Sequence, residues 1–447
     1  DSVSTMDRRL MNISILGLGF MFVFTSFLTV SNIEKTVLKS IEKEDPSFTG
    51  DGYTSLCIIY GVFALCNWLA PTIIGMIGSR KSIYLGSICY VAFLMPFLWP
   101  SNILLYTMSV LLGFGASMIW TGQGTYLTMN SDLSTISRNS GIFWAMSKIS
   151  ICIGNVFVIL VLRNKTELNE STRMLVFTVL AVICGFGTLI LMVLRPSVDA
   201  EGIENEVNFR KPNSMIPKKE LKDSMRLLMT KDMFLLSTLF LFTGSYFNLD
   251  SYSLFCCNTV PIPITPTTKN GVYSSCIAFT KSMSTNTKQL LGYTGILVGV
   301  GEVTGLDARG LLCSILGKKS PRSDSKFSGL SRSTVIIISF LINIVAYGLI
   351  FVNLPNDSPF GDSYTKSFIK PNQYLAVFCG FLLGLGDSGF TTQIYNIIGV
   401  KYSDNSASAT SLFMFMQVKN ILDPALAPHS RKSRESITVF HQTQTWE

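Results

Sequence analysis

Charged side chains are scarce in this sequence, and they are missing altogether from three long stretches. Only 14% of the 447 residues are Asp, Glu, Lys or Arg, against about 25% in a typical soluble domain. No charged residue occurs in 10–33, 52–79 or 82–131. Each of the first two stretches can carry one helix across the hydrocarbon core of a membrane, and the third can carry two. The composition therefore excludes a soluble globular protein.

Histidine is almost absent as well. The only two, His429 and His441, lie in the terminal tail, which excludes a zinc site, a histidine proton relay and a Ser-His-Asp triad from the membrane body. The ten cysteines show no metal-ligand spacing. No nucleophile–base arrangement or nucleotide loop is present, and the basic residues are scattered without a nucleic-acid motif. We therefore predict no enzyme, no cofactor, no metal and no nucleic-acid partner; the bilayer itself is the expected surrounding.

The uncharged stretches do not alternate as the strands of a membrane barrel would. Backbone groups in lipid must be paired within their own segment, so these stretches are predicted to be helices. The expected fold class is an all-α polytopic membrane protein. We predict ten complete spans, at 10–32, 53–76, 83–99, 103–128, 141–162, 174–194, 233–255, 289–316, 333–353 and 373–400.

A long polar segment divides the chain into two halves. Residues 195–231 are rich in Lys and Arg and contain no apolar run. Basic residues concentrate in the cytoplasmic loops of membrane proteins, and here they favour a cytoplasmic amino terminus. The predicted organisation is an N-terminal bundle at 1–194, a cytoplasmic linker at 195–231, a C-terminal bundle at 232–418 and a polar tail at 419–447.

The same orientation places three glycosylation sequons in outside loops, at Asn164, Asn169 and Asn356. Chance occurrence of each sequon is the alternative. Three further residues, Cys256, Cys257 and Cys276, bracket an outside loop. One disulfide among them is plausible in a protein of the secretory pathway, and unpaired thiols are the alternative. The choice between the plasma membrane and an internal membrane stays open.

The two halves share a short internal repeat. The segment LLGFGASMIWTGQ at 111–123 matches LLGLGDSGFTTQ at 382–393 with one gap. Each copy continues into a Ser-Asp pair and then an apolar stretch, SGIFWAMS in the first half and TSLFMFMQ in the second. Paired halves related by an axis along the membrane normal are the plan of the major facilitator fold, in which the site lies between the halves near the midplane.

The second copy of this plan is incomplete. An eleventh span begins at about residue 407 and ends near residue 418, which is too short to cross the membrane. The following residues, 419–447, contain no span-length apolar run. We therefore expect two six-helix-type bundles of which the second lacks its last two spans, through a splice or reading-frame variant or a gene-model artefact. A ten-span architecture is the alternative.

Several motifs resemble one branch of this superfamily. WTGQG, NSGIFWA, YTSLCIIYGVFALCNWLAP and FLLGLGDSGFTTQ resemble the uncoordinated-93-like family over about residues 7–417. The resemblance implies an accessory protein that regulates or escorts a channel or receptor. It also places GMIGSRKS, at 75–82, where the superfamily carries a cytoplasmic loop motif, although the acidic residue of that motif is missing here.

Polar residues inside the predicted spans are the candidate site residues, because ionisable groups in lipid are costly and usually functional. Asp387 and Glu302 are predicted either to couple ion movement in a central cavity or to make a structural hydrogen bond. Lys148 either extends its stem to the membrane interface or lines the cavity and pairs with a carboxylate such as Asp387. Gln123 and its repeat partner Gln393 could contact a polar solute, or they could serve helix packing.

The predicted function is an accessory or regulatory protein for a channel or receptor, and a secondary transporter is the alternative. The family resemblance favours an accessory protein for a channel or receptor. The internal repeat and the carboxylates within the spans favour a secondary transporter of a small solute, coupled to protons or another cation.

Overall fold

A computed structural model provides the fold and describes residues 2–132, 134–162, 170–197, 222, 224–248, 273, 276–277, 280, 282–283, 287–305, 332–355, 358, 363–365 and 367–417. Within these residues the chain is mainly helical. The described residues contain no strand, and an isolated bridge joins Thr280 to Ser363. The predicted all-α fold class is therefore confirmed.

The described residues form helices that we number α1 to α12 in chain order. Their bounds are α1 Ser2–Glu44, α2 Gly52–Asn67, α3 Ala70–Ile77, α4 Ser79–Ala92, α5 Met95–Leu98, α6 Asn102–Met129, α7 Ile136–Leu162, α8 Glu170–Met192, α9 Lys231–Asn248, α10 Thr287–Thr304, α11 Arg332–Asn353 and α12 Gln373–Lys401. A short 3-10 turn, Ser403–Asn405, then leads into a helical stretch at 406–417.

Seven of the described helical segments are long and apolar enough to cross a membrane, and the bent pair α2–α3 makes an eighth if it is one span. Most of them expose large apolar side chains, as at Ile103, Val182 and Leu189. Exposed apolar surface on this scale is rare in soluble monomers and, on helices of this length, is typical of contact with lipid. The protein is an integral multi-pass membrane protein.

The second predicted span is not one continuous helix. α2 ends at Asn67, and α3 begins at Ala70 with an axis bent by 65° from that of α2. Pro71 stands in the first turn of α3. A proline has no amide hydrogen and its ring clashes with the carbonyl four residues earlier, here that of Asn67, so the helix breaks at this point. The predicted span at 53–76 therefore corresponds to two helical parts that are bent at residues 68–69.

The first helix is longer than the apolar stretch that predicted it. Its apolar part ends at Ser31, whereas the backbone stays helical to Glu44. The additional turns pack against the N-terminal bundle through Ile33, Val37 and Ile41, which are all buried. Tertiary packing therefore extends the helix beyond the point where charged residues begin.

Glycines of the internal repeat mark close helix crossings in the N-terminal half. Gly113 of α6 lies against the backbone of α2 at Ile59, and Gly115 of α6 lies against α4 at Cys89. A β-carbon at either glycine would overlap these atoms. Small residues of this kind allow helices in membranes to approach closely.

The C-terminal half repeats this arrangement with its own helices. Gly384 of α12 lies against the α10 backbone at Val298, and Gly386 of α12 lies against Asn343 of α11. The matched glycines therefore contact matched neighbours: α6 meets α2 and α4, and α12 meets α10 and α11. The repeat in the sequence is a repeat in the packing.

Candidate functional site

Helix α10 lies between α7 of the first half and α12 of the second. Toward α7, Gly295 and Gly299 contact Asn155 and Cys152. Toward α12, Gly301 contacts the backbone at Phe381. Because these positions lack side chains, three helix backbones come together at one level of the bundle.

Three charged side chains meet at this level. Lys148 Nζ on α7 donates to Glu302 Oε1 on α10 at 2.8 Å and to Asp387 Oδ2 on α12 at 3.4 Å. We call Lys148, Glu302 and Asp387 the central charged cluster. The exposed fractions of the three side chains are 15%, 6% and 4%, so the ion pairs are shielded from solvent and their attraction is little screened.

The charges of the central charged cluster do not balance. One ammonium faces two carboxyl groups, so full ionisation leaves one excess negative charge. The second oxygens, Glu302 Oε2 and Asp387 Oδ1, are buried without a hydrogen-bond partner. A buried, uncompensated charge is costly, and a proton or a small cation at either free oxygen removes the imbalance.

The cluster lies deep in the bundle. Asp387 is the central residue of the 29-residue helix α12. Lys148 lies about 18 Å along α7 from its start at Ile136, at the usual helical rise. Neither position is near the end of its helix, and a charged residue so placed faces the interior of a membrane protein.

An aromatic wall borders the cluster. Lys148 Nζ lies 5.5 Å from the Trp144 ring centroid, close enough for a cation–π contact. Trp144 stacks on Trp120 of α6 at 5.9 Å and meets Tyr395 of α12 edge-on at 5.2 Å. Tyr395 in turn contacts Phe413 of the stretch 406–417 at 5.7 Å. The wall thus crosses from the first half to the second.

Several buried polar atoms near this wall have no hydrogen-bond partner. They include both amide atoms of Gln123, the indole nitrogen of Trp144 and the hydroxyl groups of Thr391 and Tyr395. Such atoms are rare in proteins, since each costs the free energy of its lost water. A polar solute that entered between the halves would supply the missing partners.

Three of these side chains escaped the sequence prediction, although the sequence contained a signal. Trp144 precedes Lys148 by four residues, and Thr391 and Tyr395 follow Asp387 by four and eight. Residues four apart share one face of a helix. The faces that carry the predicted charges therefore carry the aromatic and hydroxyl groups as well.

The structure brings the predicted charged residues together. Of the two alternatives for Lys148, the geometry matches the pairing with carboxylates. Gln123 lies on the face of α6 that carries Trp120, three residues earlier, and is fully buried; Gln393 is buried on α12.

The other predicted residues lie away from this site or outside the described residues. Cys276 is buried, whereas Cys256 and Cys257 lie outside the described residues, as do Asn164, Asn169 and Asn356. Within the described residues, no three or more His, Cys, Asp or Glu side chains cluster as a metal site would require.

An exposed ion pair at the end of α12 contrasts with the central charged cluster. Lys401 Nζ lies 2.7 Å from Asp232 Oδ2, and both side chains are at least half exposed. The hydrogen bond from Lys401 holds the pKa of the Asp232 carboxyl below its ordinary value. Ion pairs so open to solvent contribute little to stability, so we do not place this pair in the site.

Comparisons of sequence place the chain among known membrane proteins. The family model described as "Ion channel regulatory protein UNC-93" matches residues 47–254 and 264–420. UNC93-like protein MFSD11 of Xenopus tropicalis is 37% identical over 428 residues, which cover 93% of this chain and 89% of that protein. UNC93-like protein 3 of Arabidopsis thaliana is 30% identical over 200 residues, or 42% of this chain and 41% of that protein.

Comparison of structure finds transporters of one superfamily. The human organic anion transporter MFSD10 matches with a TM-score of 0.59 at 10% identity, over 94% of this chain and 92% of that one. The proton:xylose symporter XylE matches with a TM-score of 0.58 at 13% identity, over 99% and 91%. At these identities the likeness shows the fold alone. The relatives are UNC93-like and transporter-type proteins rather than enzymes.

Proposed function

Because the chain belongs to the UNC-93 family and has the fold of the major facilitator superfamily, we propose that it is a secondary active carrier of a small polar solute, coupled to protons or another cation. The central charged cluster carries this proposal. It joins the two halves, which must move against each other in any carrier of this fold. It also has one uncompensated negative charge, which a single coupling ion would neutralise.

The position of the carboxyl groups in the repeat supports a functional role. The Phe63 amide of α2 lies beside Gly113 as the Glu302 amide lies beside Gly384, so Phe63 is the counterpart of Glu302. In the sequence repeat, Ala116 of α6 aligns with Asp387. The first half therefore forms the same helix packing with apolar side chains at the two positions where the second half has carboxyl groups. Packing alone does not require the two charges in the second half.

The chain's own groups suggest how coupling works. With one carboxyl protonated, Lys148 and the other carboxylate form a neutral pair, and the two halves can stay closed around them. Loss of the proton leaves an excess charge that is stabilised by water or a cation, which favours opening of the interface. Gln123, Trp144 and Tyr395 would bind the solute beside the cluster, so solute and coupling ion share one conformational change.

The substitution Asp387→Asn tests the coupling. Proteoliposomes with trapped ion-sensitive dyes are given a panel of sugars, nucleosides, amino acids and organic anions. We expect the wild-type protein to move protons or sodium across the membrane when one of these solutes is added. Asp387→Asn should reduce this flux to that of protein-free vesicles, because the neutral amide neither takes up a proton nor repels the second carboxylate.

The matched control is Asp404→Asn, which changes an exposed carboxyl just beyond α12 and should leave the flux unchanged. No ion movement with any solute class, or equal flux in wild type and Asp387→Asn, would rule out the coupled carrier.

A second function is favoured by the family description as ion channel regulatory proteins. In this case the chain is an accessory protein that binds a channel or receptor in the membrane. We expect a stable membrane partner to co-purify after cross-linking in native membranes, and Asp387→Asn to leave its recovery unchanged. A partner recovered together with inactive proteoliposomes would favour this function over the carrier.

The domain division and orientation are part of the same proposal. We infer that bundles at 1–194 and 232–418 flank a cytoplasmic linker at 195–231, with the amino terminus in the cytosol. An epitope inserted between residues 198 and 221 should bind antibody only after the plasma membrane is permeabilised, because excess basic charge keeps this segment inside. Binding to intact cells, or binding that also requires the internal membranes to be permeabilised, would contradict the orientation.

A further inference from the structure

The far end of α1 carries a buried carboxyl that is separate from the central charged cluster. Glu34 lies about one turn beyond Ser31, where the apolar part of α1 ends. Only 2% of the residue is exposed, and neither carboxyl oxygen has a hydrogen-bond partner. An ionised carboxylate in this place has lost its water without gaining a donor, which is energetically unfavourable.

The Ser55 hydroxyl beside Glu34 can accept a hydrogen bond from a protonated carboxyl, but it has no hydrogen left to donate to a carboxylate. Ser55 of α2 lies beside the carboxyl but makes no hydrogen bond of good geometry with either oxygen. Ser109 of α6 donates to the Leu105 carbonyl at 2.7 Å, so Ser55 must be the donor in its 3.0 Å contact with Ser109. Ser55 therefore has no proton left for Glu34, and its free lone pair can accept one.

The start of α2 is already occupied by another carboxylate. Asp51 caps this helix and accepts from the Thr54 amide at 2.8 Å, while Gly52 lies against the Glu34 side chain. Of the described titratable groups, Asp51 and Tyr60 are the ones that act on Glu34. Neither carries a positive charge, so neither compensates an ionised Glu34.

We propose that Glu34 is a proton-binding site of the N-terminal bundle, protonated in the folded protein and distinct from the central charged cluster. The acid O–H donates to Ser55 Oγ after a small shift of either helix, which completes a chain through Ser109 to the Leu105 carbonyl. When the proton leaves, the carboxylate must turn toward the first amides of α2, where Asp51 opposes it. This site goes beyond the proposed function, since it needs no solute.

The sign of the pH dependence follows from burial. Burial raises the pKa of the Glu34 carboxyl from 4.5 to about 8. Between these values the folded protein holds a proton that the unfolded chain has lost. The contribution of Glu34 to stability is therefore fully present below about pH 4.5 and is lost as the pH rises toward about 8.

We expect the melting temperature of the purified full-length chain to fall as the pH rises from about 6 to about 9. In Glu34→Gln the melting temperature should fall less over this range, because the amide stays neutral at every pH. Glu42→Gln is the matched control, since Glu42 is an exposed carboxyl on the same helix, and it should keep the wild-type slope. An unchanged slope in Glu34→Gln would overturn the proposal.

Infrared spectroscopy keeps the proposal testable if Glu34→Gln fails to fold. Wild-type protein should show a protonated-carboxyl band at about pH 6 that is lost by about pH 9, and Glu34→Asp should shift this band. The central charged cluster can contribute a carboxyl band of its own, so the two spectra are compared by subtraction. If wild type and Glu34→Asp gave identical spectra at both pH values, Glu34 would be ionised throughout, and the proposal would fail without bearing on solute transport.

Discussion

Lys148→Met should lower the free energy of unfolding by about 3–5 kcal/mol, because it removes the only cation from a buried group of two carboxyls. The side chain keeps its length and apolar stem, so lost charge rather than a cavity causes the effect. Thermal or denaturant unfolding in detergent measures the change. The loss should be larger at about pH 8 than at about pH 5, where protons can replace the missing ammonium.

Lys370→Met is the control for this variant. Lys370 is exposed just before α12, and surface substitutions of this kind change stability by less than about 0.5 kcal/mol. If Lys148→Met were as stable as Lys370→Met, the lysine would not pair with buried carboxylates, and the proposed coupling site would lose its cation.

Gly384→Leu should prevent the C-terminal bundle from assembling. At this glycine even a β-carbon would overlap the α10 backbone at Val298 and approach the Glu302 amide at 2.9 Å. Backbone atoms cannot yield as a flexible side chain can, so the cost should exceed the roughly 1–3 kcal/mol typical of overpacking. The fraction of monodisperse protein after size-exclusion chromatography in detergent measures the outcome.

Two comparisons make this prediction specific. Gly348→Leu, on α11, changes a glycine with no atom within 4 Å of an added β-carbon and should behave as wild type. Gly113→Leu should fail as Gly384→Leu does, because the repeat puts Gly113 at the matching crossing of α6 with α2. Folded, monodisperse Gly384→Leu protein would contradict the close approach of α10 and α12.

The membrane-spanning character of the chain could be predicted from its charge gaps, because ionisable side chains are costly in lipid and therefore rare in spans, whichever helices later pack together. The bend between α2 and α3 could not be found in this way. Hydropathy is continuous across Trp68 and Leu69, and the break comes from the missing amide of Pro71. The proline was visible in the sequence, but it marks a kink only once the segment is known to be helical.

The candidate site was predictable in part. The sequence marks Lys148, Glu302 and Asp387 individually, since each interrupts an apolar segment. It does not tell which helix faces meet, so the contact between Lys148 and Glu302 was not predicted. That contact depends on Gly295, Gly299 and Gly301, which bring α10 against both neighbours. The spacing of Trp144 and Tyr395 became meaningful only when α7 and α12 were seen side by side.

The burial of Glu34 could not be predicted from the sequence. As a charged residue it ended the predicted first span, and the loop beyond it was expected outside the membrane. Its burial depends on the continuation of α1 to Glu44 and on the packing of α2 and α6 around it. A local pattern cannot reveal a neighbour that is distant in the sequence.

The link between the two halves through buried charge is tested most directly by a double-mutant cycle of Lys148→Met and Asp387→Asn, measured by unfolding in detergent. If Nζ of one half and the carboxyl of the other interact, the double variant should be more stable than the sum of the single losses predicts, by about 1–3 kcal/mol. Strictly additive losses would mean that the two side chains do not interact and would contradict a charged site between the bundles.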